Sequence, residues 1–414
     1  MRFFQNLIIR NGINLLFARF FYYVFVVINV AVIAWFYSIS EFALIMLVLG
    51  LGNVFYSLLN FGSINLIVKR VSVLKSKNKL IGGFYVLKLL TWIILFTLSL
   101  LSSYFIETPL LRNGIIILVF FSIFEAFKTI NVAVFRGLEK LKYESMIIIC
   151  QQIVTTLLLL YVSISGYETF LVFIVYGCGS FIAALIGVLL LKISGEEFCI
   201  PGKYTLIELF NSSIPFGIHH VLSTMSNNVH LVVLYFFASS NALAMFSAAQ
   251  KLFMMFVYIP YPFIVALYPK LSIFFKQDFQ ELLRLYKRSF LSLMIVGCAL
   301  GVFLFTLAPI LISFLYGVDY AGAVNVLRVL SFILVWVVSH PLHAYLMYSM
   351  EKPYPAVIGG VSLSFGIFLS ITLVKPYGAI GAAIALLLQT LIHFSIYTII
   401  SVTILRKQKQ LVGK

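Results

Sequence analysis

The feature that most restricts the fold of this chain is a succession of twelve long apolar runs joined by short connections. They lie near Leu15 to Tyr37, Phe42 to Val68, Leu80 to Tyr104, Asn113 to Val134, Ser145 to Ser165 and Phe170 to Leu191. Six more lie near Asn211 to Phe237, Ala242 to Tyr268, Phe290 to Leu315, Val324 to Met350, Tyr354 to Val374 and Ala379 to Leu405. A helix crosses a bilayer in roughly 20 residues, and only a helix or a closed barrel satisfies its backbone there. Hydrophobic residues make up 62% of the 414 and charged residues 10%, so twelve helices account for nearly the whole apolar inventory. That leaves no room for a large soluble domain on either side.

The net charge of +16 would point to nucleic acid in a soluble protein. Here the position of the charges matters more. With the N-terminus inside, the inner segments hold 22 Lys and Arg, the outer loops hold Arg112 and Lys375, and five cations lie in spans. Retention of basic residues on the cytoplasmic side sets topology, so this asymmetry orients both termini inward. No nucleic-acid partner is implied. The run after Arg2 and Arg10 lacks a cleavage pattern and is expected to be a retained first helix. Cys150, Cys178, Cys199 and Cys298 fall in spans or on the inner side, so no disulfide is expected.

Spacings near 200 residues suggest an internal duplication. Asn11, Arg19, Tyr22 and Asn29 stand 201 positions before Ser212, His220, Ser223 and His230, and Arg70-Val-Ser72 stands 200 before Lys270-Leu-Ser272. The expected fold is an all-α integral membrane protein of about 12 transmembrane helices in two six-helix lobes related as parallel repeats. The lobes are expected at 1–193 and 211–405, with a cytoplasmic linker at 194–210 and a basic tail at 406–414.

Polar residues inside the spans are the candidate site. At 100° per residue, Ser212, His219, Ser223, Ser226, Asn227 and His230 lie within about 60° of one line on the seventh helix. The first helix repeats the stripe with Asn11, Asn14, Tyr22 and Asn29. Such stripes face protein or water, either as helix-to-helix glue or as two walls of a cavity. The intramembrane cations are Arg19, Lys88, Lys128, Lys251 and Arg328, against a single acid, Glu125. Each would cost about 2.5 to 3.5 kcal/mol in lipid at a helix centre, so they are expected to face inward and to favour an anionic substrate. Arg19 and Arg328 lie near helix ends, where snorkelling is open to them. Glu125 and Lys128 are three apart and can pair, as a structural unit or as a proton-handling one. Glu125 and His230 are the candidates for ion coupling. Pro215, Pro260, Pro262 and Pro341 fall inside spans of the second half, and Pro215, at the base of the stripe, is the hinge candidate. Asp278-Phe-Gln-Glu281 opens an amphipathic segment to Arg288, expected to lie on the inner headgroups.

No phosphate loop, zinc spacing or nucleophile motif is present, and no cofactor is implied. Six blocks carry a resemblance: Asn60-Phe-Gly62 with Lys69-Arg70, FRGLEKLKYESM from Phe135, NSSIPFGIHHVLSTMSNN from Asn211, YPKLS from Tyr268, LYGVDYAGAVNVLRVLSF from Leu315, and KPYGAIGAAIALLLQ from Lys375. They resemble the polysaccharide-biosynthesis flippases, the Wzx-type O-antigen and capsule exporters of the MOP superfamily, which also contains the MATE transporters and the lipid II flippase. The resemblance implies a multi-pass protein of a bacterial cytoplasmic membrane that moves an oligosaccharide on isoprenoid pyrophosphate to the outer leaflet by alternating access. It also implies membrane lipids, a polysaccharide polymerase and chain-length machinery as partners. A MATE-like cation or drug antiporter is the alternative within transport, disfavoured by the lack of buried acids. A membrane-embedded glycan polymerase or transferase is the alternative from another class, disfavoured by the short outer loops.

Overall fold

The computed structural model describes residues 20–73, 77–260, 267, 271, 274, 279–348 and 354–412. Among them there is no strand. The helices are α1 (Phe20–Phe36), α2 (Ile39–Asn60), α3 (Ser63–Val71), α4 (Asn78–Ser103), α5 (Pro109–Gly137), α6 (Leu141–Ile164) and α7 (Leu171–Ile193). They continue as α8 (Lys203–Phe237), α9 (Ser240–Tyr258), α10 (Phe279–Tyr316), α11 (Ala323–Ser331), α12 (Leu334–Val337), α13 (His340–Tyr348) and α14 (Tyr354–Val412). Eight stretches are long and apolar enough to cross a membrane, among them Ala323–Ala344, which runs through α11, α12 and the start of α13. The chain is a multi-pass membrane protein.

Two of the long helices hold more than a bare span. The 38 residues of α10 extend about 57 Å at 1.5 Å per residue, well beyond a hydrocarbon core of about 30 Å. The segment expected to lie on the headgroups is therefore the first turns of α10 itself, and Glu281 pairs there with Arg284. Asp278 of the expected capping box lies outside the described residues. The 59 residues of α14 are two helices across a break at Gly378, whose φ of 53° and ψ of −126° are non-helical. This is the turn expected between the last two spans.

Helix starts follow local chemistry. Ser38 caps α2 with its hydroxyl on the Glu41 N–H, and the Glu41 carboxylate returns to the Ser38 N–H at 3.0 Å. Ser239 caps α9 through the Ala242 N–H at 3.2 Å. These two caps are 239 − 38 = 201 residues apart, the spacing that relates the polar positions of the first and seventh helices. Pro341 is in the first turn of α13, where a missing N–H costs nothing. It therefore starts a helix and does not kink one. The described backbone of α8 is helical on both sides of Pro215.

The chain divides into two compact units, Met1–Thr224 and Met225–Lys414. In the first, α5 is central and packs against α2, α3, α4, α6 and α7. Small residues allow the close approach: a Cβ on Gly187 of α7 would meet the Asn131 side chain of α5 at 2.4 Å. Leu66, Ile67, Ile81, Phe84, Ile130 and Phe135 form a core cluster of this unit. In the second unit, α11 packs against α9, α10 and α14, and α13 packs against α14.

The second expected span, Phe42 to Val68, is two helices. Phe61 (φ 32°, ψ 57°) and Gly62 (φ 71°, ψ 1°) are left-handed and separate α2 from α3. A Cβ on Gly62 would lie 2.4 Å from the Gly217 nitrogen and 2.6 Å from the Phe216 carbonyl carbon. The break is thus where the first half of α8 docks, with Phe61 stacked on Phe210 at 6.0 Å.

Candidate functional site

In the first unit, the polar residues of α5 form one network with α2, α6 and α7. Lys128 Nζ donates to Glu125 Oε1 and, at 2.9 Å, to Gln151 Oε1. Glu125 Oε2 accepts from Gln151 Nε2 and from Ser180 Oγ, each at 2.9 Å. Thr129 donates to the Glu125 carbonyl at 2.8 Å, and the Tyr56 hydroxyl meets Thr129 Oγ1. Both carboxylate oxygens are occupied, yet the Glu125 side chain stays 25% exposed against 11% for Lys128. The arrangement is a compensated charge pair whose acid keeps part of its surface exposed.

Lys88 behaves differently. Its residue is 2% exposed, and its ammonium donates to the carbonyls of Leu59 and Asn60, each at 2.8 Å, and to Asn60 Oδ1 at 3.0 Å. An ammonium has three donors, and all three are used on the carbonyl end of α2. Lys88 therefore secures the break before α3. The headgroup contact expected of it would have to displace these three bonds.

On α1, Tyr22 is half-buried and edge-on to Tyr23 at 5.0 Å. Asn29 is fully buried, and its Oδ1 accepts from Thr156 at 2.7 Å. Asn14 and Arg19 lie outside the described residues.

The stripe on α8 serves several surroundings. Within the first unit, Ser212 accepts from Arg70 at 3.0 Å, and Arg70 pairs with Glu208 at 2.9 Å. His219 and Ser223 are half-buried. Within the second unit, Ser226 and His230 point into the protein while the Asn227 side chain is exposed. Gln389 Nε2 donates to Ser226 Oγ and reaches Ser362 Oγ at 3.4 Å. His230 Nδ1 meets Ser370 Oγ at 2.7 Å, and Ser370 spends its own hydrogen on the Gly366 carbonyl at 2.6 Å. Ser370 therefore accepts, which puts the His230 proton on Nδ1 and leaves Nε2 bare. The stripe, expected either as helix-to-helix glue or as one of two cavity walls, comprises a clasp at Ser212, an exposed side chain at Asn227 and a buried network at Ser226 and His230.

Lys251 is half-buried on α9 and makes no hydrogen bond or ion pair among the described residues. Its neighbour Gln250 donates to the Asn227 carbonyl at 2.9 Å, which brings this turn of α9 beside Asn227 of α8. Arg328 lies over the Phe305 ring at 5.3 Å, and its Nε is buried without a partner. Of the four described intramembrane cations, two are therefore committed and two are not. Sequence reasoning missed the partners: Gln151 and Ser180 around Glu125, Asn60 below Lys88, and Ser362, Ser370 and Gln389 around His230. The available signal was a lone amide or hydroxyl in the middle of an apolar run.

A family profile described as "Polysaccharide biosynthesis protein" matches residues 8–275. No curated protein matches the chain in sequence. Solved structures match its fold over almost the full length. An inward-facing multidrug resistance MATE family transporter of the MOP superfamily aligns with a TM-score of 0.78 at 12% identity, covering 95% of this chain and 96% of its own. The lipid II flippase MurJ in an inward closed conformation aligns at 0.75 and 16% identity, covering 94% and 87%. A MOP superfamily transporter from Pyrococcus furiosus, described as having a binding pocket of reverse polarity, aligns at 0.74 and 12%, covering 97% and 96%. At these identities the structural likeness speaks for the fold.

Proposed function

The chain belongs to the polysaccharide biosynthesis protein family, and from that premise we propose that it is a flippase for an oligosaccharide carried on an isoprenoid pyrophosphate. It moves the unit from the inner to the outer leaflet of a bacterial cytoplasmic membrane, with both termini inside. The observation that carries the reading is Lys251, a half-buried cation in a membrane helix with no counter-charge among the described residues. Such a charge is costly unless something anionic visits it. A pyrophosphate brings about two negative charges and several acceptor oxygens, which suits Lys and Arg donors.

In this reading Lys251 and Arg328 of the second unit receive the phosphates, and Arg19, expected as a further headgroup contact, lies outside the described residues. Tyr22, His219 and Ser223 in the first unit, and Asn227 in the second, each carry donors, acceptors or ring faces of the kind a sugar needs. Lys128 pairs with Glu125, and Glu125 is the group assigned to ion coupling in the first unit. Its residual exposure supports that choice over His230, which is fully enclosed. Pro215 serves as the hinge of α8. A polysaccharide polymerase and chain-length machinery receive the product on the far side.

The test is glycan export in a cell deleted for this gene. Lys251→Ala at equal protein level is expected to lower surface glycan at least tenfold while the lipid-linked precursor accumulates inside, and Lys251→Arg is expected to restore most of the output. Normal output from Lys251→Ala together with Arg328→Ala refutes the assignment.

A further inference from the structure

The second unit contains a group of buried titratable side chains that the transport of a lipid-linked sugar does not call for. His340 and His343 on α13, His393 and Tyr397 on α14, and Tyr286 on α10 form one packed cluster. The His340 and His393 rings are 4.9 Å apart, and His393 and Tyr397 are 4.8 Å apart. His343 is fully buried, and its Nδ1 meets the Tyr286 hydroxyl at 2.7 Å and the Ser401 hydroxyl at 3.2 Å. Phe290 and Phe394 close the sides, at 5.6 Å and 5.8 Å from the His343 ring.

We propose that His340, His343 and His393 form a binding site for a single proton, located where α13 packs on α10 and α14. The Tyr286 and Ser401 hydroxyls at His343 Nδ1 can donate to that nitrogen or turn to accept from it. Nε2 is buried and has no partner, and the same is true of Nε2 on His340. The unpartnered Nε2 of His340 is a position where a proton is gained without breaking an existing bond, whereas His343 takes one on Nδ1, against the Tyr286 and Ser401 hydroxyls. His340 and His393 are only half-buried, so a proton reaches them first, while His343 lies deeper. The aromatic faces around the rings favour one imidazolium. A second on the His340–His393 pair would lie within about 5 Å of the first and be repelled, so that pair carries one charge.

The groups that face the cluster are Tyr286 from α10, and His393 and Tyr397 from α14. The nearest cations along α10, Lys287 and Arg288, are exposed. Among the described residues no carboxylate faces the rings, and no group there has the geometry of a metal site. The His340 and His393 rings lie at an interplanar angle of 39°. Charging the cluster changes how α13 is held between α10 and α14, so proton occupancy and the packing of the second unit are linked.

The test uses the full-length wild-type protein in lipid nanodiscs and follows hydrogen–deuterium exchange at the imidazole C2 position by mass spectrometry, from about pH 8 to pH 4. That exchange proceeds through the imidazolium, so it reports protonation of each histidine separately. His340 and His393 are expected to share one sigmoidal pH dependence. His393→Gln is expected to move the midpoint at His340 by at least half a pH unit, and His340→Gln to do the same at His393. Exchange that is absent at all three positions overturns the proposal, as does a midpoint at each that ignores loss of its neighbour. No substrate enters this measurement, so its outcome is independent of whether the cargo is a lipid-linked sugar.

Discussion

Removing one partner of the Glu125–Lys128 pair is expected to harm the protein more than removing both. Lys128→Met leaves the Glu125 carboxylate with Gln151 and Ser180 as its donors and no cation. Stripping one partner from a fully buried pair costs about 3 to 5 kcal/mol. Here the acid keeps a quarter of its side chain exposed and two neutral hydrogen bonds, so the loss is scaled to about 2 kcal/mol. Glu125→Gln strands Lys128 with Gln151 alone and is expected to cost a similar amount. The double variant removes both charges and retains the amide and hydroxyl contacts, for a loss of about 1 kcal/mol. Non-additivity of about 3 kcal/mol follows, the upper end of what neighbouring residues show. The assay is equilibrium unfolding in mixed micelles, read by the fluorescence of Trp35, Trp92 and Trp336. Losses that simply add refute the reading of a coupled pair. The double variant also isolates function: a folded protein whose flux no longer responds to a pH gradient supports coupling at Glu125, whereas an unchanged response removes that role.

Two further substitutions probe the break between α2 and α3. Lys88→Met is expected to destabilise by about 1 to 3 kcal/mol, because the acceptors of Leu59 and Asn60 lose their donor while the cost of burying an ammonium is relieved, and export per folded molecule stays near the wild-type level. Gly62→Ala adds about 1 to 2 kcal/mol of left-handed strain to about 1 to 3 kcal/mol of overpacking against the α8 backbone, so an unfolding midpoint equal to wild type would show that this contact is absent.

The spans were legible because hydropathy over some twenty residues reports solvent directly, and the same holds for the final turn at Gly378 with Pro376 beside it. The break at Phe61 was not, since the apolar run continues through it and the left-handed turn is held by α8, distant in sequence. Lys88 shows the limit most clearly. A lone lysine in a span signals an unusual demand, but its partners are main-chain carbonyls, which no side-chain pattern reveals. On α8 the helical period correctly grouped the polar positions. It could not separate Ser226 and His230, turned into the second unit, from Asn227 one step round the same face.

The docking of the first half of α8 on the break at Phe61 and Gly62 has a consequence for how this polypeptide can be cut. The duplicated unit recurs about 201 residues on, so an ancestral gene fusion would place its seam near residue 202. The compact units instead meet at Thr224 and Met225, and Ser212 and Gly217 are held by Arg70 and Phe61. Two fragments expressed from a gene split at residue 202 would therefore share a helix–helix joint of their own, and should find each other in the bilayer. A split at residue 225 would leave each fragment with half of α8 and, in each half, an unpaired helix end with nothing to satisfy it.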